Sequence, residues 1–304
     1  MKKISNYSIR TTIGLVVTVV LILNLGQGMT KGIQTIEKSE GDLSLSSLIP
    51  HDFITIISDS GFLAYIGSGT VEEPYVIEGF NITTTHYTGI YISGTTKYFI
   101  IRNCYVDAKD YGIEIRNVAD GTATVINNTC SNTNYRGITL WGSISSTVFN
   151  NTCNNNNNHG IDFYYSESST VANNTCISNN VSGIFLDYYS VGSTVANNTC
   201  SNNYDNGIYL ADSDSSTVTN NMCNNNSHYG IWLWDSDRST VINNTCSNNY
   251  DNGIYLSSSD FCVVTYNLLQ ENRGYGIFIE YGSFKNLIHH NTFVDNNLGG
   301  TSQA

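Results

Sequence analysis

Two aspartates, Asp162 and Asp187, occupy neighbouring units of a repeating sequence. If the units stack as parallel strands, the carboxylates lie on adjacent strands, offset by two residues and about 8 Å apart. That separation suits the acid and base of inverting glycoside hydrolysis. The same segments carry outward aromatics: Phe185, Tyr209, Trp232, Tyr255 and Phe278 in one column, Trp141, Tyr164 and Trp234 in the next. Rings at strand spacing offer sugar faces a platform, with Asp162, Asp187 or Glu114 to meet hydroxyls. The competing reading is structural, since aromatics are good strand formers and cross-strand pairs contribute about 0.2–1 kcal/mol each.

A second acidic group falls on the following turn, with Asp212 and Asp214 over Asp235 and Asp237, and with Glu167 and Asp260 continuing the latter column. Crowded carboxylates repel unless neutralised, and calcium is the natural counter-ion for an oxygen-rich site; a solvated acidic turn is the alternative. Seven cysteines (Cys104, Cys130, Cys153, Cys176, Cys200, Cys223 and Cys246) share one repeat position, which Leu269 and Phe293 take later. A position that accepts Cys, Leu or Phe is interior. A buried thiol column is expected, with vicinal disulfides or a soft-metal site as alternatives. Cys262 stands off the column, at a serine position, and is expected to be a partly exposed thiol.

What positions these groups is a glycine period. Gly89, Gly112, Gly137, Gly160, Gly183, Gly207, Gly230, Gly253, Gly276 and Gly299 recur mostly every 23 residues, nearly always followed by Ile, a variable residue, then Leu, Ile or Phe. One such unit cannot bury a face alone, so units must stack. Short alternating apolar segments between Asn, Ser, Gly and Asp turns fit strands and exclude helix. The expected fold is all-β, a parallel β-helix of about ten coils. Its interior columns are the Ile and Leu of the Gly-Ile-x-Leu strand and the valines Val125, Val148, Val171, Val195, Val218, Val241 and Val264. An unbroken column from Asn128 through Asn151, Asn174, Asn198, Asn221, Asn244 and Asn267 to Asn291 predicts stacked amides at a turn. The asparagine before each, which forms an N-glycosylation sequon in five units, sits beside that stack and is expected to be buried or needed for stacking. Asn81, Asn180 and Asn225 are the better sequons.

The Asn-Asn-Thr-x-x-x-Asn-x-x-x-Gly-Ile-x-Leu unit resembles the right-handed parallel β-helix superfamily, the pectin-lyase-like fold, and is most similar to NosD repeats. Gly67–Gly79 resembles the lead-in of β-helix surface proteins. The resemblance spans roughly residues 53 to 304. It implies a sheet face that other members use on polysaccharides. Calcium-dependent lyases of this fold also need a basic proton abstractor, and none stands among the aromatic strands. NosD similarity implies a further alternative, a role in copper-enzyme maturation with copper(I) on the thiols.

The formal net charge of −12 excludes a nucleic-acid partner, which requires a basic stripe. Lys2, Lys3 and Arg10 precede an apolar run from Ile13 to Leu25, the layout of an export signal or an N-terminal membrane anchor over residues 1–28. Residues 29–50 read as a flexible linker, 51–80 as a cap, and 81–304 as β-helix repeats whose C-terminal end is expected to be truncated. The expected role is an exported, secreted or cell-surface, non-catalytic module for polysaccharide or a surface protein, touching membrane only through its N-terminal segment. A polysaccharide hydrolase or lyase using Asp162 and Asp187 is the alternative. Binding would use Trp141, Tyr164, Phe185, Tyr209, Trp232, Trp234 and Tyr255; calcium would use Asp212, Asp214, Asp235 and Asp237.

Overall fold

The structure, a computed structural model, describes residues 47–298. The export signal or anchor at 1–28, the linker up to residue 46 and residues 299–304 lie outside the described residues. Short strands wind into stacked coils, each pairing in parallel with its equivalent one repeat away. One sheet of ten strands, from Ile54–Ile56 to Ile277–Ile279, carries the Gly-Ile-x-Leu segments. A second sheet of ten, from Tyr75–Glu78 to Leu287–His289, carries the valines. The third comprises four-stranded and six-stranded stretches, and Thr152 bridges between them to Thr129 and Thr175.

Like lies over like throughout. Ile161 pairs with Ile184 and Ile184 with Ile208; Val171 pairs with Val195, and Cys176 with Cys200. Up to Ile254, Val264 and Leu269 these columns are buried and form one continuous core. Burial stabilises each aliphatic side chain by about 1.5–3 kcal/mol. At the N-terminal end, Ile49–Pro50 and Ile54–Ile56 already pair with the next coil. A 3-10 helix at Asp59–Ala64 inserts Phe62 against Tyr75 and Phe99.

The two asparagines of Asn-Asn-Thr do different work. The second is buried and stacked: Asn198 Nδ2 donates to Asn221 Oδ1 (3.0 Å) and to the Val171 carbonyl (3.0 Å), while the Asn174 backbone N–H donates to Asn198 Oδ1 (2.8 Å). The first takes a left-handed conformation, φ 57° at Asn197, where a small polar side chain is tolerated. Its side chain is exposed, not buried, at Asn150, Asn173, Asn197 and Asn243, because the turn points it outward, and Asn150 Nδ2 donates to Asn127 Oδ1 (2.7 Å) of the neighbouring coil. A second stack, Asn156–Asn179–Asn203–Asn226–Asn249–Asn272, repeats the same bonding on another turn. The third asparagine of the repeat unit was its visible signal.

Serines line the remaining turn: Ser146, Ser169, Ser193, Ser216 and Ser239 are buried. Cys262 stands next in this column and is also buried, not partly exposed as its off-column place implied. The position is interior, and its thiol donates to the Ser236 carbonyl (3.3 Å). The repeated glycine is a close-approach residue. A Cβ at Gly207 would meet the Gly230 carbonyl oxygen at 2.6 Å and Asn226 Nδ2 at 2.9 Å.

Candidate functional site

The outward face of the Gly-Ile-x-Leu sheet divides into two halves. In the C-terminal half, Phe185, Tyr209, Trp232, Tyr255 and Phe278 stand one per coil. Ring centroids are 4.7 Å apart for Phe185–Tyr209, 4.3 Å for Tyr209–Trp232, 5.8 Å for Trp232–Tyr255 and 5.5 Å for Tyr255–Phe278. The first three pairs are stacked, so the rings cover one another's faces and turn their edges outward. Trp232 Nε1 donates to Ser257 Oγ (2.9 Å), and Tyr255 Oη to Glu280 Oε2 (2.8 Å). Trp234 differs. Its register partners Ala211 and Ser257 are small and buried, and its own ring is 42% exposed. Large rings beside small partners leave an open ring face.

In the N-terminal half, the same column reads Glu114, Thr139, Asp162, and all three are buried. Asp162, read as an outward solvent-facing carboxylate, is 1% exposed. The reason is Arg136, which begins the strand of the preceding coil and reaches forward so that Nη1 donates to Asp162 Oδ2 (2.7 Å). Sequence reasoning placed no basic residue here because Arg136 precedes the glycine instead of following it. Arg116 pairs within its own strand with Glu114 (Nε to Oε1, 2.7 Å) and lies 4.7 Å over the Trp141 ring. Thr88 Oγ1 donates to Glu114 Oε2 (3.1 Å).

Asp162 and Asp187 do stand on adjacent strands, two positions apart: Asp162 faces Phe185, and Tyr164 faces Asp187. Burial pushes the Asp162 carboxyl up to about 7, against the opposing pull of Arg136 and with a further push from Asp187. Partial burial raises Asp187 to about 6, while the Tyr188 N–H bonded to its Oδ1 (2.9 Å) and Arg136 lower it. His159 is lowered to about 3, by burial and then by Arg136, and is neutral. Asp162 Oδ1 and Thr139 Oγ1, on paired residues, are two buried polar atoms without a hydrogen-bond partner. One of these carboxyls can hold a proton near neutrality, but the Arg136 roof closes Asp162 to a substrate.

Asp212, Asp214, Asp235 and Asp237 lie on or beside the expected turn, and two of the four, Asp214 and Asp237, have an acceptor in use. Asp214 Oδ1 accepts the Asp237 N–H (2.7 Å), and Asp237 Oδ1 accepts the Asp260 N–H (2.7 Å). Asp214 and Asp237 thus each tie their coil to the next. Among the described residues, no three His, Cys, Asp or Glu side chains gather as a metal-holding group.

Residues 63–222 match the family described as right handed beta helix region, and residues 175–303 match the periplasmic copper-binding protein NosD. No curated protein matches the chain. Among solved structures, a periplasmic alginate epimerase, AlgG, superposes with TM-score 0.66 at 20% identity, over 72% of this chain and 59% of its own. The A-module of the Azotobacter vinelandii mannuronan C-5 epimerase AlgE4 gives TM-score 0.56 at 13% identity, over 70% of this chain and 64% of its own. The enzymatically active domain of bacteriophage CBA120 tailspike protein 2 gives 0.55 at 11% identity, over 81% and 41%. This chain therefore spans less than two thirds of these structures, and the likeness is one of fold. The described residues do not fit the copper that the NosD description implies. The seven column thiols are fully buried, sealed within the Ile, Leu and Val columns. The stacked parallel coils and a family match over more than half of its length agree: the chain belongs to the right-handed β-helix family.

Proposed function

We propose that this is an exported module that binds polysaccharide on the outward face of the Gly-Ile-x-Leu sheet without cleaving it. The observation that carries this reading is the unbroken row of partly exposed rings from Phe185 to Phe278 with Trp234 open beside it. An aromatic surface continuous over five coils is a recognition surface in a soluble protein. Structures of similar fold act on alginate, which supports polysaccharide as the ligand class. The apolar run after Lys2, Lys3 and Arg10 supports export to the periplasm, the medium or the cell surface, as does the periplasmic description of NosD. A glycan microarray tests the reading. Binding is expected, and Trp232→Ala with Trp234→Ala should weaken it; an array without a single bound glycan rejects the proposal.

The raised carboxyls of Asp162 and Asp187 favour a second reading, polysaccharide cleavage. It requires Arg136 to swing away from Asp162. Release of reducing ends from a bound polysaccharide, lost on Asp162→Asn with Asp187→Asn, would establish it over simple binding.

A further inference from the structure

The turn that follows the Gly-Ile-x-Leu strand requires a left-handed residue. Most coils supply one that tolerates it: Asn117 (φ 49°), Gly142 (57°), Asp212 (48°), Asp235 (47°) and Ser258 (49°). Two adjacent coils break this pattern with tyrosine: Tyr165 (φ 50°), then Tyr188 (36°) and Tyr189 (60°). A bulky side chain there is strained, at a cost on the order of 1–3 kcal/mol. The second of these coils also holds one residue more. Tyr164 pairs with Asp187, 23 positions on, whereas Ser166 meets Ser190, 24 positions on. The addition therefore falls at Tyr188–Tyr189. Other turns also hold bulky left-handed residues, Phe261 (φ 56°) and Tyr266 (57°) among them; what sets this corner apart is left-handed tyrosine on two successive coils together with an inserted residue.

The rings at this corner are arranged unlike the ladder. Tyr164 meets Tyr165 at 4.6 Å and 85°, Tyr188 at 5.0 Å and 49°, and Trp141 at 4.6 Å and 52°. Tyr165 and Tyr189 stack on each other (5.9 Å, 14°), while the tilted contacts of Tyr164 leave other ring faces uncovered. Trp141 is 37% exposed, Tyr165 42%, Tyr188 45% and Tyr189 57%. Asp187 abuts the cluster through its cross-strand partner Tyr164.

The geometry points to this tyrosine corner, beside the aromatic row, as a further subsite of the polysaccharide-binding face, with neutral pyranose units as its ligand. This rests on the polysaccharide reading above and adds the place and the sugar class. Neutral sugars follow from charge. Asp187 and Asp212 stand on one side, and the nearby cations Arg116 and Arg136 are already paired with Glu114 and Asp162. A uronate would meet uncompensated carboxylates; a neutral pyranose offers apolar C–H faces to the tyrosines and hydroxyl donors to Asp187.

The test replaces the strained tyrosines with the residue type that other coils use, as Tyr165→Asn with Tyr189→Asn, and as Tyr189→Asn alone. Calorimetric titration uses soluble β-glucan, mannan and galactan, with alginate as the acidic comparison. The wild type should bind a neutral polymer. The double variant should lose at least tenfold in affinity while its Tm stays level or rises, because strain is relieved. Undiminished affinity for a neutral polymer in the double variant overturns the corner while leaving polysaccharide binding standing. A lowered Tm in both variants overturns it too, since the rings would then be structural. Tighter binding of alginate than of any neutral polymer rejects the sugar class. If no polysaccharide binds the wild type, both readings fall.

Discussion

The two halves of one sheet face solve the same problem with opposite chemistry. From Phe185 to Phe278, the third residue of the strand is aromatic and stacks on its neighbours. From Glu114 to Asp162, the same position is polar and sinks below the surface, because Arg116 and Arg136 reach over it. Strand position alone does not make a side chain solvent-facing. The length and direction of neighbouring side chains decide it: Arg136, one coil away and before its glycine, covers Asp162, and Arg116, two residues along the same strand, covers Glu114. The ladder rests on dispersion and area, which pH does not touch, whereas the polar half rests on a charge pair that pH switches.

Removing the roof should have the largest effect. Arg136→Met leaves a buried, unpaired Asp162 carboxylate and is expected to cost about 3–5 kcal/mol by urea unfolding at pH 9. Near pH 5 the cost should shrink sharply, because Asp162, at about 7, is already protonated. A loss of equal size at both pH values would mean that Arg136 acts by packing alone.

Cutting the ladder comes next. Trp232→Ala should cost about 2–3 kcal/mol, the same at pH 5 and pH 9. A pH-dependent loss there would erase the contrast between the halves.

The pH dependence itself has two opposing parts. The folded carboxyl of Asp162 lies above its ordinary value of 3.8, so its contribution is full below about pH 4 and lost as pH rises through 7. His159, lowered from 6.5 to about 3, contributes fully above 6.5 and loses its contribution as pH falls through 3. The contribution of Asp187, raised to about 6, declines over the same window, so Asp162→Asn with Asp187→Asn should abolish the decline in Tm between pH 5 and 8 and leave only the acid-side loss. A decline that persists in this variant places the titrating group elsewhere.

The smallest effect belongs to neither half. Asp237→Ala removes one acceptor from the Asp260 N–H on the following turn and should cost about 1 kcal/mol, with no change on adding calcium. A Tm that rises with calcium in the wild type but not in the variant would make the turn a cation site.

The 23-residue period, the interior columns and the first asparagine stack were legible in the sequence, because every coil repeats the same backbone problem. Glycine recurs where the next coil's carbonyl leaves no room for a Cβ, and asparagine where a buried turn needs both a donor and an acceptor. Such local constraints are identical in each unit, so repetition displays them. What a single coil does differently was not legible. Arg136 closing over Asp162, the rings of the ladder hiding one another's faces, and Tyr165, Tyr188 and Tyr189 meeting at one strained corner all arise between side chains roughly 23 residues apart. Periodicity assigns each residue a column and a face. Only the packed coils decide which neighbour reaches across, and that reach sets which groups are buried, which are charged and which stay open to a ligand.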